Sequence, residues 1–312
     1  MSFSMDVKEE LFRVNVAARH CKIAELSALM VQCGKIYVDK SGHFHIKLQT
    51  ESGYVARKCN TLFKKLCQIP VFVSVRTTKG KQSYAQYVVE ISGDENVKKT
   101  VELLKLKVSG KDGTLKADGM VAMSACCKRA FLRGTFLASG SISNPQKSYH
   151  FEISESERSR AEQLMELMRS FGVDAKTILR KNYYVVYIKE GEQVAEMLNV
   201  LEAHRALMDF ENIRIVKDVR NSVNRKVNCE MANLSKTVNA ARRQYEDIVF
   251  IRDSVGLHEL SEGLEEIAQL RLGYPEASLV ELGEMLSPRL GKSGVNHRLK
   301  KISEYAESLR GK

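Results

Sequence analysis

Cys21-Lys-Ile-Ala-Glu-Leu-Ser-Ala-Leu-Met-Val-Gln-Cys-Gly-Lys-Ile36 lies without a gap over Cys127-Lys-Arg-Ala-Phe-Leu-Arg-Gly-Thr-Phe-Leu-Ala-Ser-Gly-Ser-Ile142. Cys21/Cys127, Lys22/Lys128, Ala24/Ala130, Leu26/Leu132, Gly34/Gly140 and Ile36/Ile142 are identical, and Ala28 faces Gly134, both small. Six identities in sixteen positions decide little alone, so the downstream pattern has to repeat as well. Each stretch reads as a helix closed by a glycine at the start of a strand. That place favours the left-handed backbone that glycine adopts at low cost. Mid-helix Gly134 costs about 1 kcal/mol relative to alanine. Its presence points to a close approach of two helices, which could pack along a pseudo-two-fold axis.

The downstream pattern agrees. Strands are expected over Lys35–Asp39 and Phe44–Gln49, with a turn at Ser41-Gly42. A helix follows over Ser52–Leu66, then strands at Val71–Thr77 and Ala85–Ile91, and a helix from Asn96 to Leu106. After Gly140 the order returns: strands Ser141–Ser143 and Tyr149–Ile153, then a helix from Glu157 to Phe171. That helix carries an apolar face at Ala161, Leu164, Met165, Met168 and Phe171. Strands Ala175–Arg180 and Tyr184–Lys189 and a helix from Gln193 to Leu201 complete the half. Each half therefore reads α-β-β-α-β-β-α.

With 312 residues, two or three domains are expected. We divide the chain into halves at 1–110 and 111–215, a basic helical linker at 216–256 and a small all-α domain at 257–312. The fold class is α+β followed by that all-α domain. A hydrophobic content of 44% with 28% charged residues marks a folded chain rather than a disordered one. No apolar run reaches membrane-spanning length, and the N-terminus lacks the apolar core of a signal peptide, so no membrane association and a cytoplasmic location are expected. The seven cysteines are odd in number and irregularly spaced, with no CxxC pair. Reduced buried thiols are expected, with no metal site and no cofactor. A net charge of +11 points to an anionic partner, nucleic acid first.

The charge is concentrated. Between Ile213 and Arg243, eight basic residues stand against Asp218 and Glu230, with Asn221, Asn224 and Asn228 interleaved. Arg220, Arg225, Lys226, Arg242 and Arg243 are candidate phosphate contacts. A helix is expected from Cys229 to Ile251. Beyond His258, three short helices are expected. Leu260–Leu272 stops at Gly273 and Pro275; Leu279–Leu286 starts from a Ser278/Glu281 capping box; a last helix, capped by Ser293, runs to Leu309. Leu282, Leu286, Val295, Leu299 and Ile302 would form the shared core. This is the punctuation of a helix-turn-helix, whose second helix enters the major groove. From Pro288 to Ile302 there are five basic residues and no acid. Arg289, Lys292, Ser293, Asn296, His297, Arg298, Lys300 and Lys301 are the candidate contacts to double-stranded DNA. Asn can pair with adenine and Arg with guanine in bidentate fashion. For His297, a DNA contact and a plain surface position stay equally open.

Leu132-Arg-Gly-Thr-Phe-Leu-Ala-Ser-Gly140 resembles the LAGLIDADG motif of homing endonucleases, and Leu26-Ser-Ala-Leu-Met-Val-Gln-Cys-Gly34 resembles a degraded second copy. The resemblance implies that the two motif helices form the domain interface. It also implies that the eighth position of each would supply a metal-binding carboxylate. Those positions are Cys33 and Ser139, and the sixth positions are Val31 and Leu137. Phosphodiester cleavage through Mg²⁺ requires hard oxygen ligands, which these residues do not offer. Asp39 and Glu152 are the nearest acids able to substitute, so a residual nuclease remains the weakest of three functional readings.

The whole chain resembles the WhiA family, most specifically in Lys128–Ser141, Asn221–Asn239 and Lys292–Leu299. The resemblance implies a non-enzymatic DNA-binding transcription regulator tied to sporulation, cell division and chromosome segregation. A nucleoid-associated protein acting through transcription or cell-division protein partners is the alternative. The internal pseudo-symmetry leads us to expect a monomer.

Overall fold

The computed structural model describes residues 2–67, 69–77, 85–109 and 112–311. The chain separates into two compact units, Met1–Lys217 and Asp218–Lys312.

In the first unit, helix α2 (Arg19–Cys33) leads into strands β1 (Gly34–Val38) and β2 (Phe44–Thr50), helix α3 (Gly53–Leu66), strands β3 (Phe72–Thr77) and β4 (Ala85–Ser92) and helix α4 (Asp94–Leu103). The order returns in α5 (Ala125–Ser139), β7 (Gly140–Ile142), β8 (Phe151–Glu155), α6 (Arg158–Arg169), β9 (Lys176–Arg180), β10 (Tyr183–Ile188) and α7 (Gly191–Val200). The α-β-β-α-β-β-α repeat is therefore present twice.

A helix and a strand hairpin are not foreseen by the sequence patterns. Helix α1 (Phe3–Arg13) precedes the first half, capped by Ser2 and held by buried Val7 and Leu11. Strands β5 (Leu106–Ser109) and β6 (Thr114–Ala117) form a hairpin that joins the first sheet beside β1. The division expected between residues 110 and 111 lies outside the described residues, and the strands on either side of it pair with one another. The first sheet thus runs β3-β4-β2-β1-β6-β5 and the second β7-β8-β10-β9, all neighbours antiparallel.

Helices α2 and α5 pack on one another through the small residues singled out in the sequence. A Cβ on Gly134 would stand 2.5 Å from the Glu25 carbonyl oxygen and 2.9 Å from the Ala28 Cβ. Gly134→Ala should therefore destabilise the unit although alanine is the better helix former. The propensity gain is about 1 kcal/mol, while forcing two backbones apart costs about 1–3 kcal/mol or more. Equilibrium denaturation of the full chain checks the sign; a variant more stable than the parent would mean that the helices are free to separate.

The left-handed backbone expected at the two motif glycines is not what they adopt. Gly34 (φ −98°) and Gly140 (φ −82°) are extended, not left-handed. Space excludes a side chain instead: an added Cβ would meet the Met30 carbonyl oxygen at 2.5 Å and the Phe136 ring at 2.2 Å, respectively.

Three charged groups, Glu25, Lys58 and Arg133, are buried beside this helix pair, and half-exposed Glu202 joins them. Glu25 Oε1 accepts from Arg133 Nε at 3.1 Å and lies 3.3 Å from Lys58 Nζ; Arg133 Nη1 donates to Glu202 at 2.6 Å. Lys58 also donates to the carbonyls of Phe12 and Val14. A second buried acid, Glu155 at the end of β8, accepts from Gln32, and burial pushes its carboxyl up to about 7. The native state then holds this proton between about pH 4.5 and 7 where the unfolded chain releases it, so stability falls as pH rises through that window. Glu155→Gln should remove the fall. It should stabilise the chain at pH 8 by about 2–3 kcal/mol and change little at pH 4. Parallel denaturation curves at the two pH values would show it; an equal effect at both would locate the cause in packing.

All seven cysteines are free. Cys21, Cys59 and Cys127 are buried as expected and Cys33 and Cys67 are half-buried, but Cys126 and Cys229 are exposed. Among the described residues no helix is long and apolar enough to cross a membrane.

The linker is helical but has no separate start. Helix α8 runs without interruption from His204 to Ser254, so the helix expected from Cys229 is part of a 51-residue element. In the second unit, α8 is followed by α9 (Glu262–Gly273), α10 (Leu279–Met285) and α11 (Lys292–Arg310). Their core contains Leu282, Leu286, Val295, Leu299 and Ile302, together with Ile248 and Ile251 from α8.

Candidate nucleic-acid interface

Local chemistry sets the helix-turn-helix. Ser278 accepts from the Glu281 N–H at 3.3 Å, and Glu281 accepts from the Ser278 N–H at 2.7 Å, which is the capping box expected for α10. The Ser278 N–H, and after it the Ser278 hydroxyl, hold the Glu281 carboxyl below its ordinary value. The turn after α10 folds tightly because Gly283 has no side chain: a Cβ there would stand 2.1 Å from the Leu290 carbonyl oxygen. The Leu290 N–H returns to the Gly283 carbonyl at 3.0 Å. Buried Arg271 in α9 donates to the Ala277 carbonyl at 2.7 Å and braces the segment before α10.

Helix α11 then presents its first turns outward. Arg289, Lys292, Ser293, Asn296, His297, Lys300 and Lys301 are exposed, whereas Val295 and Leu299 are buried behind them. Ser293 is not the cap; Gly291 occupies that position and Ser293 stands in the first turn. Arg298 differs from the other candidates. It is half-buried, and its Nη1 donates to the Gly263 carbonyl at 2.9 Å, tying α11 to α9. Lys300 lies 3.6 Å from Glu304 on the same helix.

Two of the linker arginines come close to this surface. Arg243 of α8 lines a groove with Asn296 and Lys300 of α11, and Arg242 lines an adjoining one with Lys292 and Asn296. Lys236 and Asn239 share the first groove and were missed in the sequence. Asn239 and Lys236 stand four and seven residues before Arg243, which places them on its helix face, a signal that was legible. Arg220, Arg225 and Lys226 are exposed on α8 and line neither groove; among the described residues they have no ion pair.

In the first unit, the degenerate motif positions Cys33 and Ser139 end α2 and α5. Ser139 Oγ donates back to the Thr135 carbonyl at 3.2 Å, and burial pushes the Cys33 thiol up to about 11. Lys8 of α1 lies within electrostatic reach of Cys33 and 5.9 Å from the centre of the Phe136 ring, its own pKa lowered by burial. The two acids considered as substitutes are engaged elsewhere. Asp39 accepts from the His43 and Ser41 N–H groups and contacts His45 at 3.1 Å; Glu152 contacts His150 at 2.9 Å. Both acids are thus held by partners of their own.

Three domain models agree with this layout: a WhiA N-terminal LAGLIDADG-like domain at residues 19–107, a WhiA LAGLIDADG-like domain at 128–220 and a WhiA C-terminal HTH domain at 223–306. This chain belongs to the WhiA family. The "Probable cell division protein WhiA" of Lachnoclostridium phytofermentans is 50% identical, over 99% of this chain and 100% of that one. The WhiA of the same description from Alkaliphilus oremlandii is 45% identical, over 99% and 98% of the two chains. Full-length DUF199/WhiA from "Thermatoga maritima" is a solved structure with a TM-score of 0.60 at 29% identity, covering 99% of each chain. WhiA membership makes the first unit LAGLIDADG-like and the second a helix-turn-helix domain.

Proposed function

We propose that this chain is a non-catalytic DNA-binding protein of the cytoplasm and nucleoid that regulates transcription and serves cell division and chromosome segregation. The observation that carries the reading is the exposed first face of α11, where Lys292, Ser293, Asn296 and His297 stand with Lys300 and Lys301 and no acid intervenes. Basic and amide side chains on a braced helix are the groups that position on phosphates and read base edges. The curated relatives named for cell division support the biological setting. The internal repeat supports a monomer, since two half-domains already form the pair that a homodimer would supply. Footprinting of the full chain on promoter DNA tests the reading: a sharp protected site supports it, and uniform protection at every salt concentration would overturn sequence-specific regulation.

The exposed basic face of α8 favours a second reading, a nucleoid-associated protein acting through protein partners. Arg220, Arg225 and Lys226 can meet phosphates without reading sequence. Even occupancy across the chromosome would favour that reading over the first.

For the first unit we infer loss of nuclease chemistry, supported by Cys33, Ser139 and the nearby cation Lys8. Cys33→Asp with Ser139→Asp should not nick plasmid DNA in the presence of Mg²⁺, because a metal site also needs groups that orient its ligands. Nicked plasmid on a gel would show the site to be less remodelled.

A further inference from the structure

The sixteen-residue superposition pairs Cys21 with Cys127, and the residues just before them are His20 and Cys126. All four stand in the first turns of α2 and α5, the two helices related by the internal repeat. In the folded unit their ligand atoms, one imidazole nitrogen and three sulfurs, lie within 4.8 Å of one another. His20 Nδ1 is 3.1 Å from Cys127 Sγ, 3.3 Å from Cys21 Sγ and 4.0 Å from Cys126 Sγ. The absence of metal spacing in the sequence was real along the chain but not in space. Ligands 106 and 107 residues apart converge because the two helices start side by side.

We propose that His20, Cys21, Cys126 and Cys127 form a structural site for a thiophilic divalent cation, zinc foremost, clamping the N-terminal ends of the two motif helices.

The donor set is the three-cysteine, one-histidine set of closed zinc sites. Bonds of about 2.3 Å to sulfur and 2.0–2.1 Å to nitrogen, arranged tetrahedrally, set ligand atoms roughly 3.5–3.8 Å apart. The observed separations bracket that value, so side-chain rotation suffices to close the site. Cys21 and Cys127 are buried and supply its floor, while His20 and Cys126 are exposed and leave an entry path. Three thiolates around one divalent ion leave a net charge of −1. Arg19, Lys22 and Lys128 flank the ligands in sequence, and two helix N-termini begin there, so the surroundings suit that charge. Hard cations are disfavoured, because no carboxylate joins the set.

The test uses the full chain, purified under reducing conditions without chelator. Elemental analysis should find one zinc per chain. Replacing zinc by Co²⁺ should give the ligand-field and thiolate charge-transfer absorption of a tetrahedral site. Cys126→Ser, an exposed position whose loss leaves the core intact, should weaken zinc binding by roughly a hundredfold or more. Cys229→Ser, an exposed thiol in the other unit, should leave it unchanged, and His20→Cys should retain metal with altered cobalt bands. Chains free of zinc that also fail to give the cobalt spectrum would overturn the proposal. So would a disulfide between two of Cys21, Cys126 and Cys127 that persists in the reduced preparation, located by peptide mapping after thiol alkylation.

Discussion

Glu25→Ala is expected to destabilise the first unit by about 3–5 kcal/mol, the cost of breaking a buried ion pair from one side. For a unit of this size that lowers Tm by roughly 10 °C or more. Glu25 is fully buried, and its carboxylate is the shared partner of Arg133 and Lys58, themselves buried. Without it, Arg133 keeps only the half-exposed Glu202, and Lys58 keeps only carbonyls. The arginine cannot shed its proton, but the lysine can, because burial already lowers its pKa. The folded variant would then bind fewer protons than its unfolded chain below pH 10.5, so its stability should climb with pH more steeply than the parent's. Calorimetry across a pH series separates this from a simple cavity, whose cost is independent of pH. Removing the network together, as Glu25→Leu, Lys58→Met and Arg133→Met, should cost far less than Glu25→Ala alone. Glu25 Oε2 and Arg133 Nη2 are buried and have no hydrogen-bond partner among the described residues, so the charges are incompletely compensated even in the native state.

Lys292→Glu combined with Lys301→Glu is expected to weaken duplex-DNA binding on the order of a hundredfold and to lower the salt slope by about 2. Each reversal removes one cation from the outward face of α11 and sets an anion against the phosphates. Both side chains are exposed, so the fold should not change. A salt titration of affinity, with circular dichroism as the control, reads both quantities. Unchanged affinity would sink the assignment of α11 as the recognition helix. Arg298→Glu, attractive from sequence, is a poorer probe. Because its guanidinium ties α11 to Gly263 of α9, reversal should loosen the helix-turn-helix itself as well as any DNA contact.

The candidate interface was largely legible. Its signal is local: a capping box, a glycine-bearing turn, an apolar face at Leu282, Leu286, Val295, Leu299 and Ile302, and a basic stretch without acids. Short-range rules suffice where a small domain is three helices joined by tight turns. What they missed was where Arg298 would find a partner, since Gly263 lies 35 residues away and no periodicity reports it. The β5–β6 hairpin was missed for a related reason. Four-residue strands carry almost no pattern, and their assignment comes from pairing with each other and, through β6, with β1 in the first sheet. Helix α1 was readable from Ser2, Val7 and Leu11, but only about three turns of chain carry the signal and just Val7 and Leu11 are buried on its apolar face.

By itself the sequence determined the doubled α-β-β-α-β-β-α order, the close approach at Gly134, the absence of carboxylates at Cys33 and Ser139, and the basic helix-turn-helix. Each follows from side-chain size, charge or period within one element, or from comparing the chain with itself. Tertiary structure alone decided the buried network of Glu25, Lys58 and Arg133 with half-exposed Glu202 at its edge, the cation Lys8 beside Cys33, and the gathering of His20, Cys21, Cys126 and Cys127. These depend on distances between residues far apart in the chain, set by how α2 and α5 pack, and packing is a property of pairs of surfaces that neither helix encodes alone.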